Sequence, residues 1–163
     1  MKTITESGSE DRNKRGKPGD SPTGLLHEDH QKVQALFHQY EKAASGQKTE
    51  IFENVAKELK IHTAVEKEIF YPVVWENTNA DELVKKAAEE HRVLDSLLEE
   101  LEDMKVDDAD FSAKFNMLQA SMAHHIEAEE AELFPKFEQS PIDQAAVAKS
   151  MRERRKALRE KAA

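Results

Sequence analysis

Apolar residues recur at intervals of three and four along most of the chain, which is the period of an amphipathic α-helix. Four such stripes are separated by short polar connections. Their members are Leu25, Leu26, Val33, Leu36 and Phe37; Ile51, Val55, Leu59, Val65 and Ile69; Leu94, Leu97, Leu98 and Leu101; and Phe111, Phe115, Leu118, Met122, Ile126 and Leu133. The pattern predicts an all-α fold, an up-down-up-down four-helix bundle.

The polar connections and prolines set the predicted helix bounds. The bundle helices are expected at about residues 23–44, 48–71, 79–104 and 110–137, and a basic amphipathic helix at about 142–160. Pro72 ends or kinks the second helix, and residues 75–79 are expected to form a turn.

Three segments follow from this pattern. Residues 1–22 are polar, have little to bury and are predicted to be disordered. Residues 23–138 are predicted to form the bundle, and residues 139–163 the basic C-terminal helix.

Composition narrows the possible functions. The 163 residues include 33 acidic and 24 basic side chains, for a formal net charge of −9. An acidic body argues against general nucleic-acid binding, and no apolar run approaches the ~20 residues that span a bilayer. Cysteine is absent, which excludes disulfides and thiolate metal sites. These features predict a cytoplasmic protein that binds neither nucleic acid nor membrane.

The carboxyl-terminal residues reverse this charge, with seven basic and two acidic side chains in 148–163. These basic residues are expected to form a solvated helix face, and a binding site for an anionic partner is the less favoured interpretation. The residues concerned are Arg152, Arg154, Arg155, Lys156 and Arg159.

A His-x-x-x-Glu motif occurs twice, as His62 with Glu66 and as His125 with Glu129, and each histidine has a proline ten residues later. Because an α-helix turns by ~100° per residue, side chains four apart share one face. Each pair can therefore offer one imidazole and one carboxylate to the same place.

A solitary histidine precedes each motif: His30 lies 32 residues before His62, and His91 lies 34 residues before His125. In an antiparallel hairpin, two residues are level when the turn lies at their midpoint in the sequence. The midpoints of successive histidines fall at residue 46, at residues 76–77 and at residue 108, all in predicted turns. The four histidines are therefore predicted to converge on one layer.

Four buried imidazoles and two carboxylates in one layer are costly as bare polar groups, and a pair of cations removes that cost. Nitrogen and oxygen donors without thiolate suit Fe, Mn, Zn or Co. The predicted metal ligands are His30, His62, Glu66, His91, His125 and Glu129. Two histidines per metal leave positions open for an oxo or hydroxo bridge and for an exogenous ligand.

The motifs resemble those of the hemerythrin-like, or HHE cation-binding, family. The matching stretches are LHEDH at 26–30, HTAVEKEIFYP at 62–72, EHRVL at 90–94 and HHIEAEEAELFP at 124–135. The resemblance covers about residues 24–138. It implies a four-helix bundle with a non-haem di-iron centre, two Fe per chain, in which Glu66 and Glu129 bridge the irons and the four histidines are terminal ligands.

The chain departs from the oxygen-carrying hemerythrins at two places. Asp95 stands where they have a fifth histidine, and Glu129 follows His125 by four residues instead of five. The second iron is thus expected to be the less saturated, with water, Asp95, Tyr40 or Tyr71 completing its shell, although packing is the simpler interpretation of both tyrosines. The departures argue against reversible oxygen carriage.

The other candidate ligands are interpreted as surface groups. His27, His38 and His124 fall outside the repeat and are predicted to be non-ligands; His27 is the strongest exception because it lies one turn before His30. The remaining glutamates near the motifs are predicted to be surface charges, with a supporting position behind the ligands left open for Glu132, which lies one turn beyond Glu129. They are Glu68, Glu127, Glu130 and Glu132.

The first functional hypothesis is a redox-active di-iron protein that binds dioxygen, nitric oxide or peroxide, with enzyme status left open. The alternative is a non-catalytic iron or oxygen sensor, or a metal store. A redox partner protein is compatible with either, and the sequence does not set the oligomeric state. A purely structural bundle is the third possibility, and it predicts no link between metal and stability.

Overall fold

The computed structural model describes residues 20–163. The disorder predicted for residues 1–22 falls almost wholly outside this range, since only its last three residues are described. Every helix within residues 20–163 is too short or too polar to cross a lipid bilayer.

The described residues form helices joined by short connections. In chain order they are α1 (Pro22–Lys42), α2 (Ser45–Val65), a first π-helical turn (Glu66–Phe70), α3 (Tyr71–Asn77), α4 (Asp81–Glu102), α5 (Phe111–Ala128), a second π-helical turn (Glu129–Leu133), α6 (Phe134–Glu138) and α7 (Gln144–Ala162). Because α2 continues into α3 and α5 into α6, four long rods make the predicted up-down-up-down bundle, with α7 as the additional C-terminal helix. The fold class is confirmed.

Pro72 was predicted to end or kink the second helix at about Tyr71, and the predicted end is wrong. Pro72 occupies the second position of α3, in a helical first turn, where a missing N–H is tolerated. The rod therefore runs on to Asn77, so residues 75–77 are helical and the turn that precedes α4 is shorter than predicted.

Two apolar clusters fill the bundle, one on each side of a polar layer. The first cluster includes Phe37, Phe52, Leu101, Phe111 and Phe115. The second includes Leu26, Phe70, Val74, Leu133 and Phe137. Each of the four rods carries one predicted ligand histidine, and in the sequence this histidine lies between members of the two clusters. These histidines are His30, His62, His91 and His125. The apolar packing thus fixes the height at which the four imidazoles meet.

Helix α7 packs against α1, α2 and the first π-helical turn. Ala148 and Met151 are buried in this contact, and three arginines of the tail pair with carboxylates of the bundle. The pairs are Arg154–Glu68, Arg155–Asp29 and Arg159–Glu58. The prediction of a solvated basic face is therefore wrong for Arg155, whose side chain is only 13% exposed, because the tail folds back onto an acidic surface. Arg154 and Arg159 pair with the bundle while their side chains stay 41% and 39% exposed.

Candidate metal centre

The six predicted ligand side chains lie together between the two apolar clusters. None exposes more than 5% of its surface. The residues are His30 on α1, His62 at the end of α2, Glu66 and Glu129 at the starts of the π-helical turns, His91 on α4 and His125 near the end of α5. The structure thus brings together all the residues that the sequence selected.

Glu66 lies at the centre of the layer and divides its two oxygens between two pairs of histidines. Its Oε1 is 2.8 Å from Nε2 of His62 and 3.9 Å from Nε2 of His30. Its Oε2 is 2.8 Å from Nε2 of His91 and 3.5 Å from Nε2 of His125. One carboxylate can therefore serve two neighbouring positions at once.

Two groups of ligand atoms result, each with its members within 4.8 Å of one another. The first position is formed by His30, His62 and Glu66. The second position is formed by Glu66, His91, His125 and Glu129. The structure therefore places more candidate ligands at the second position, whereas the sequence predicted this position to be the less saturated one.

Each glutamate of the layer opens a π-helical turn, and each is followed six residues later by a proline. The wider turn is closed by hydrogen bonds from Tyr71 N–H to the Glu66 carbonyl and from Phe134 N–H to the Glu129 carbonyl. A proline lacks an N–H and its ring crowds the carbonyl four residues earlier, so a wide turn before it relieves the clash. Such π-helical turns within α-helices are frequent at functional sites.

Carboxylates contact the outer ring nitrogens of two histidines of the first position. Nδ1 of His62 is 3.2 Å from Oδ2 of Asp29, and Nδ1 of His30 is 3.0 Å from Oε1 of Glu130. A carboxylate that holds Nδ1 leaves Nε2 facing the centre, which is the usual support of a metal-binding imidazole. Glu130 was predicted to be a surface charge; its side chain is 32% exposed, but the second π-helical turn also brings it beside His30, a role that the prediction missed.

Of the three side chains proposed to complete the second position, Tyr71 is the one that lies there. Its hydroxyl is 2.8 Å from Oε2 of Glu66, 2.7 Å from Oε1 of Glu129 and 3.0 Å from Nε2 of His91. Tyr40 packs instead on Phe115 in the first apolar cluster, and the side chain of Asp95 is exposed.

The other predicted non-ligands lie outside both groups of ligand atoms. His27 is half exposed and pairs with Glu130, while His38 and His124 are exposed on the surface. The side chains of Glu68, Glu127 and Glu132 are exposed as predicted.

A family model for the hemerythrin HHE cation-binding domain matches residues 21–137. The chain belongs to this family. A similar solved structure is the crystal structure of an HHE cation-binding domain-containing protein from Mycobacterium kansasii, with a TM-score of 0.76 and 22% identity over 87% of this chain and 89% of that chain. At this identity the likeness bears on the fold. No curated protein gave a match.

The donor atoms of this HHE domain fit a cation. Nε2 of His30, Nε2 of His62, Oε1 of Glu66 and Oε2 of Glu129 are buried without a partner in hydrogen-bonding geometry. A buried polar atom without a partner costs roughly 1–3 kcal/mol. Three of these atoms belong to the first position, where Nε2 of His62 and Oε1 of Glu66 face each other at 2.8 Å, so one ion between them would bind all three.

The charges of the layer are strongly coupled. Burial lowers the pKa of His62, but Glu66 and Asp29 outweigh it and raise this pKa to about 10. Burial also lowers the pKa of His125, but Glu129 and the other nearby carboxylates outweigh it and raise this pKa to about 12. Burial raises the pKa of Glu66, yet the surrounding histidines hold it well below its ordinary value.

Metal uptake is therefore expected to release protons. At about pH 7.5 the imidazoles of His62 and His125 hold protons in the metal-free protein, because their pKa values of about 10 and about 12 lie above that pH. A metal binds only the unprotonated nitrogen, so affinity falls as the pH falls. Calorimetric titrations in two buffers of different ionisation enthalpy measure the release; equal apparent heats, meaning no proton transfer, would contradict the assignment.

Sequence reasoning missed Asp29 and Arg155, which support His62 from outside the ligand set. The available signal for Asp29 was its position directly before His30, equivalent in the repeat to Glu90 directly before His91. No pattern in the sequence pointed to Arg155, because its contact depends on how α7 folds back over α1.

Proposed function

We propose that this HHE domain is a non-haem di-iron protein in which Glu66 bridges two metal ions. The observation that carries the proposal is the division of the Glu66 oxygens, one facing His30 and His62 and the other facing His91 and His125. Each imidazole would bind through Nε2. Glu129, which the resemblance implied would bridge as well, belongs to the second group alone; it would hold the second ion through Oε1, and its unpartnered Oε2 is available for further coordination.

Iron is the proposed metal because the donors are imidazole and carboxylate, without thiolate, in a site that shares a carboxylate between two ions. The test is metal analysis and an absorption spectrum of protein purified without chelators, repeated after anaerobic reconstitution with iron(II) and exposure to air. We expect two irons per chain and near-ultraviolet bands of an oxo- or hydroxo-bridged pair that disappear on reduction. Zinc without such bands, persisting after reconstitution, would contradict the iron assignment.

The proposed reaction partner is a small ligand: dioxygen, nitric oxide or hydrogen peroxide. Iron when bound supplies one-electron redox chemistry and an open coordination position for such a ligand. The first position has three protein ligand groups where the second has four, so the exogenous ligand is expected at the first. The ring of Phe134 stacks on His30, with centroids 5.8 Å apart, and both side chains are buried.

Rapid mixing of the reduced, iron-loaded protein with each of the three ligands tests this reactivity. A change of the iron spectrum with at least one ligand is expected. Consumption of many equivalents would show an enzyme, and a single stoichiometric change would show a binding protein. No spectral change with any of the three would reject the reactivity and leave a metal-binding domain.

Tyr71 is proposed to complete the shell of the second ion. Burial and the carboxylates of Glu66 and Glu129 raise the pKa of its phenol well above the ordinary value, so in the metal-free protein the hydroxyl is a donor to these carboxylates. Tyr71→Phe is expected to keep the fold and to weaken binding of the second ion by about tenfold. It should also remove any phenolate-to-iron absorption.

Tyr40→Phe is the matched control, because Tyr40 packs in the first apolar cluster and its variant should retain the parent spectrum. Metal content and visible spectra compare the two variants. An unchanged spectrum and unchanged metal affinity in Tyr71→Phe would show that Tyr71 is not a metal ligand and serves only in packing.

The second candidate function is a sensor, favoured by the ion pair that joins Asp29, beside His62, to Arg155 on α7. In a sensor, metal or ligand binding would change the exposure of α7. Hydrogen exchange of α7 in the metal-free, reduced and oxidised states measures this. Identical exchange in all three states, together with rapid ligand turnover, would favour the enzyme.

A further inference from the structure

The internal repeat extends beyond the ligands to the carboxylates that support them. Asp29 precedes His30 and contacts Nδ1 of His62 at 3.2 Å. Its counterpart Glu90 precedes His91 and faces Nδ1 of His125 at 3.8 Å. Each half of the bundle therefore places an acidic side chain of one rod behind the motif histidine of the next.

The two supporting carboxylates differ in how they are held. The second oxygen of Asp29, Oδ1, lies 2.9 Å from Nη2 of Arg155, and the same nitrogen donates to the carbonyl of Leu25 at 3.0 Å. Glu90, in contrast, makes no hydrogen bond through its buried Oε2, which lies 3.6 Å from Nε2 of the exposed His124. The carboxylate that supports His62 thus has a partner within hydrogen-bonding distance at each oxygen, whereas the one that faces His125 has only the longer ion-pair contacts at 3.8 and 3.6 Å.

Arg155 is well placed to act on the site. Its side chain is only 13% exposed and that of Asp29 8%, so solvent weakens their interaction little. A charge-assisted hydrogen bond in such surroundings is directional and restricts the motion of both partners. The arginine belongs to α7, which lies beyond the residues matched by the family model, 21–137.

We propose that Arg155 is a positioning residue for the first metal position, acting through Asp29 to hold the imidazole of His62 with Nε2 toward Glu66. Helix α7 thereby makes the two halves of the centre unequal: it secures the ion held by His30 and His62 and leaves the other unaffected. The inference rests on the proposed metal function. It adds a residue from outside the matched domain to the machinery of the site.

The test is the release of iron(II) from anaerobically loaded full-length protein to an excess of a chromogenic chelator. In Arg155→Gln, one of the two irons is expected to leave about tenfold faster than in the parent, as for other losses of ligand support, while the second leaves at the parent rate. Arg154→Gln is the matched control, because this neighbouring arginine pairs with exposed Glu68 and its loss should leave both rates unchanged.

A double-mutant cycle shows whether the effect passes through Asp29. Asp29→Asn alone should accelerate release of the same iron, and adding Arg155→Gln to it should change little more. Arg155→Lys should restore part of the parent rate because it keeps the charge. Circular dichroism of each metal-free variant checks the fold, and Asp29→Asn provides the test if Arg155→Gln does not fold.

Three results would overturn the proposal: parent rates in Arg155→Gln, equal acceleration of both irons, or additive effects of Asp29→Asn and Arg155→Gln. A parent protein that fails to bind two irons would instead reject the proposed function. The two failures are therefore distinguished by the parent protein alone.

Discussion

Glu66→Ala is expected to abolish binding of both metal ions. Glu66 is the one residue shared by the two groups of ligand atoms, and no other carboxylate has an oxygen facing each pair of histidines in the described part of the chain. Its loss removes a ligand from each position and the negative charge between them. Metal analysis after anaerobic reconstitution should find two irons in the parent and none in the variant.

Glu68→Ala is the matched control for this prediction. Glu68 lies on the same π-helical turn and carries the same charge, but its exposed side chain pairs with Arg154 on α7. This variant should retain both irons. Glu66→Gln, which preserves shape and removes only the charge, should behave like Glu66→Ala. Full metal retention in Glu66→Ala and His125→Ala would contradict the assignment of the ligands.

Removal of metal is expected to lower the thermal stability of the protein by about 10 °C. A ligand present at about a thousand times its dissociation constant contributes ~4 kcal/mol to the stability of the folded state. Each 1 kcal/mol shifts the melting temperature of a domain of this size by ~2–4 °C. The physical source is the buried layer of imidazoles and carboxylates, whose unpartnered atoms would lose the ion that binds them.

Thermal unfolding followed by circular dichroism, with and without prior chelation, measures the shift. Glu66→Ala provides the control, because a variant without metal should melt at the same temperature before and after chelation. An unchanged melting temperature in the chelated parent protein would favour a purely structural bundle and contradict the link between metal and folding.

The sequence was sufficient to predict the bundle and the meeting of the histidines, for identifiable physical reasons. Apolar residues at helical spacing predicted four helical rods, and the sequence midpoints of successive histidines fell in the connections between them. Because the rise per residue of an α-helix is regular, residues at the same height on antiparallel rods can be identified by counting residues from the connection. His30 and Glu129, 99 positions apart in the chain, could therefore be assigned to one layer without a structure.

Features that depend on irregular backbone or on tertiary docking were not predictable in this way. Pro72 was expected to end or kink its helix, because the rule for proline does not anticipate a preceding wide turn that relieves the clash. The position of Glu130 beside His30 depends on the second π-helical turn, Glu129–Leu133. The contact between Arg155 and Asp29 depends on the docking of α7, which composition alone made look like a solvated charged helix.

The most direct test of the two-metal centre is an anaerobic titration of metal-free protein with iron(II), followed by both calorimetry and metal analysis of the gel-filtered product. We predict saturation at two equivalents per chain, one for each group of ligand atoms around Glu66, in the parent and in Glu68→Ala. Saturation at one equivalent, or no binding above that of Glu66→Ala, would contradict a di-iron centre bridged by Glu66.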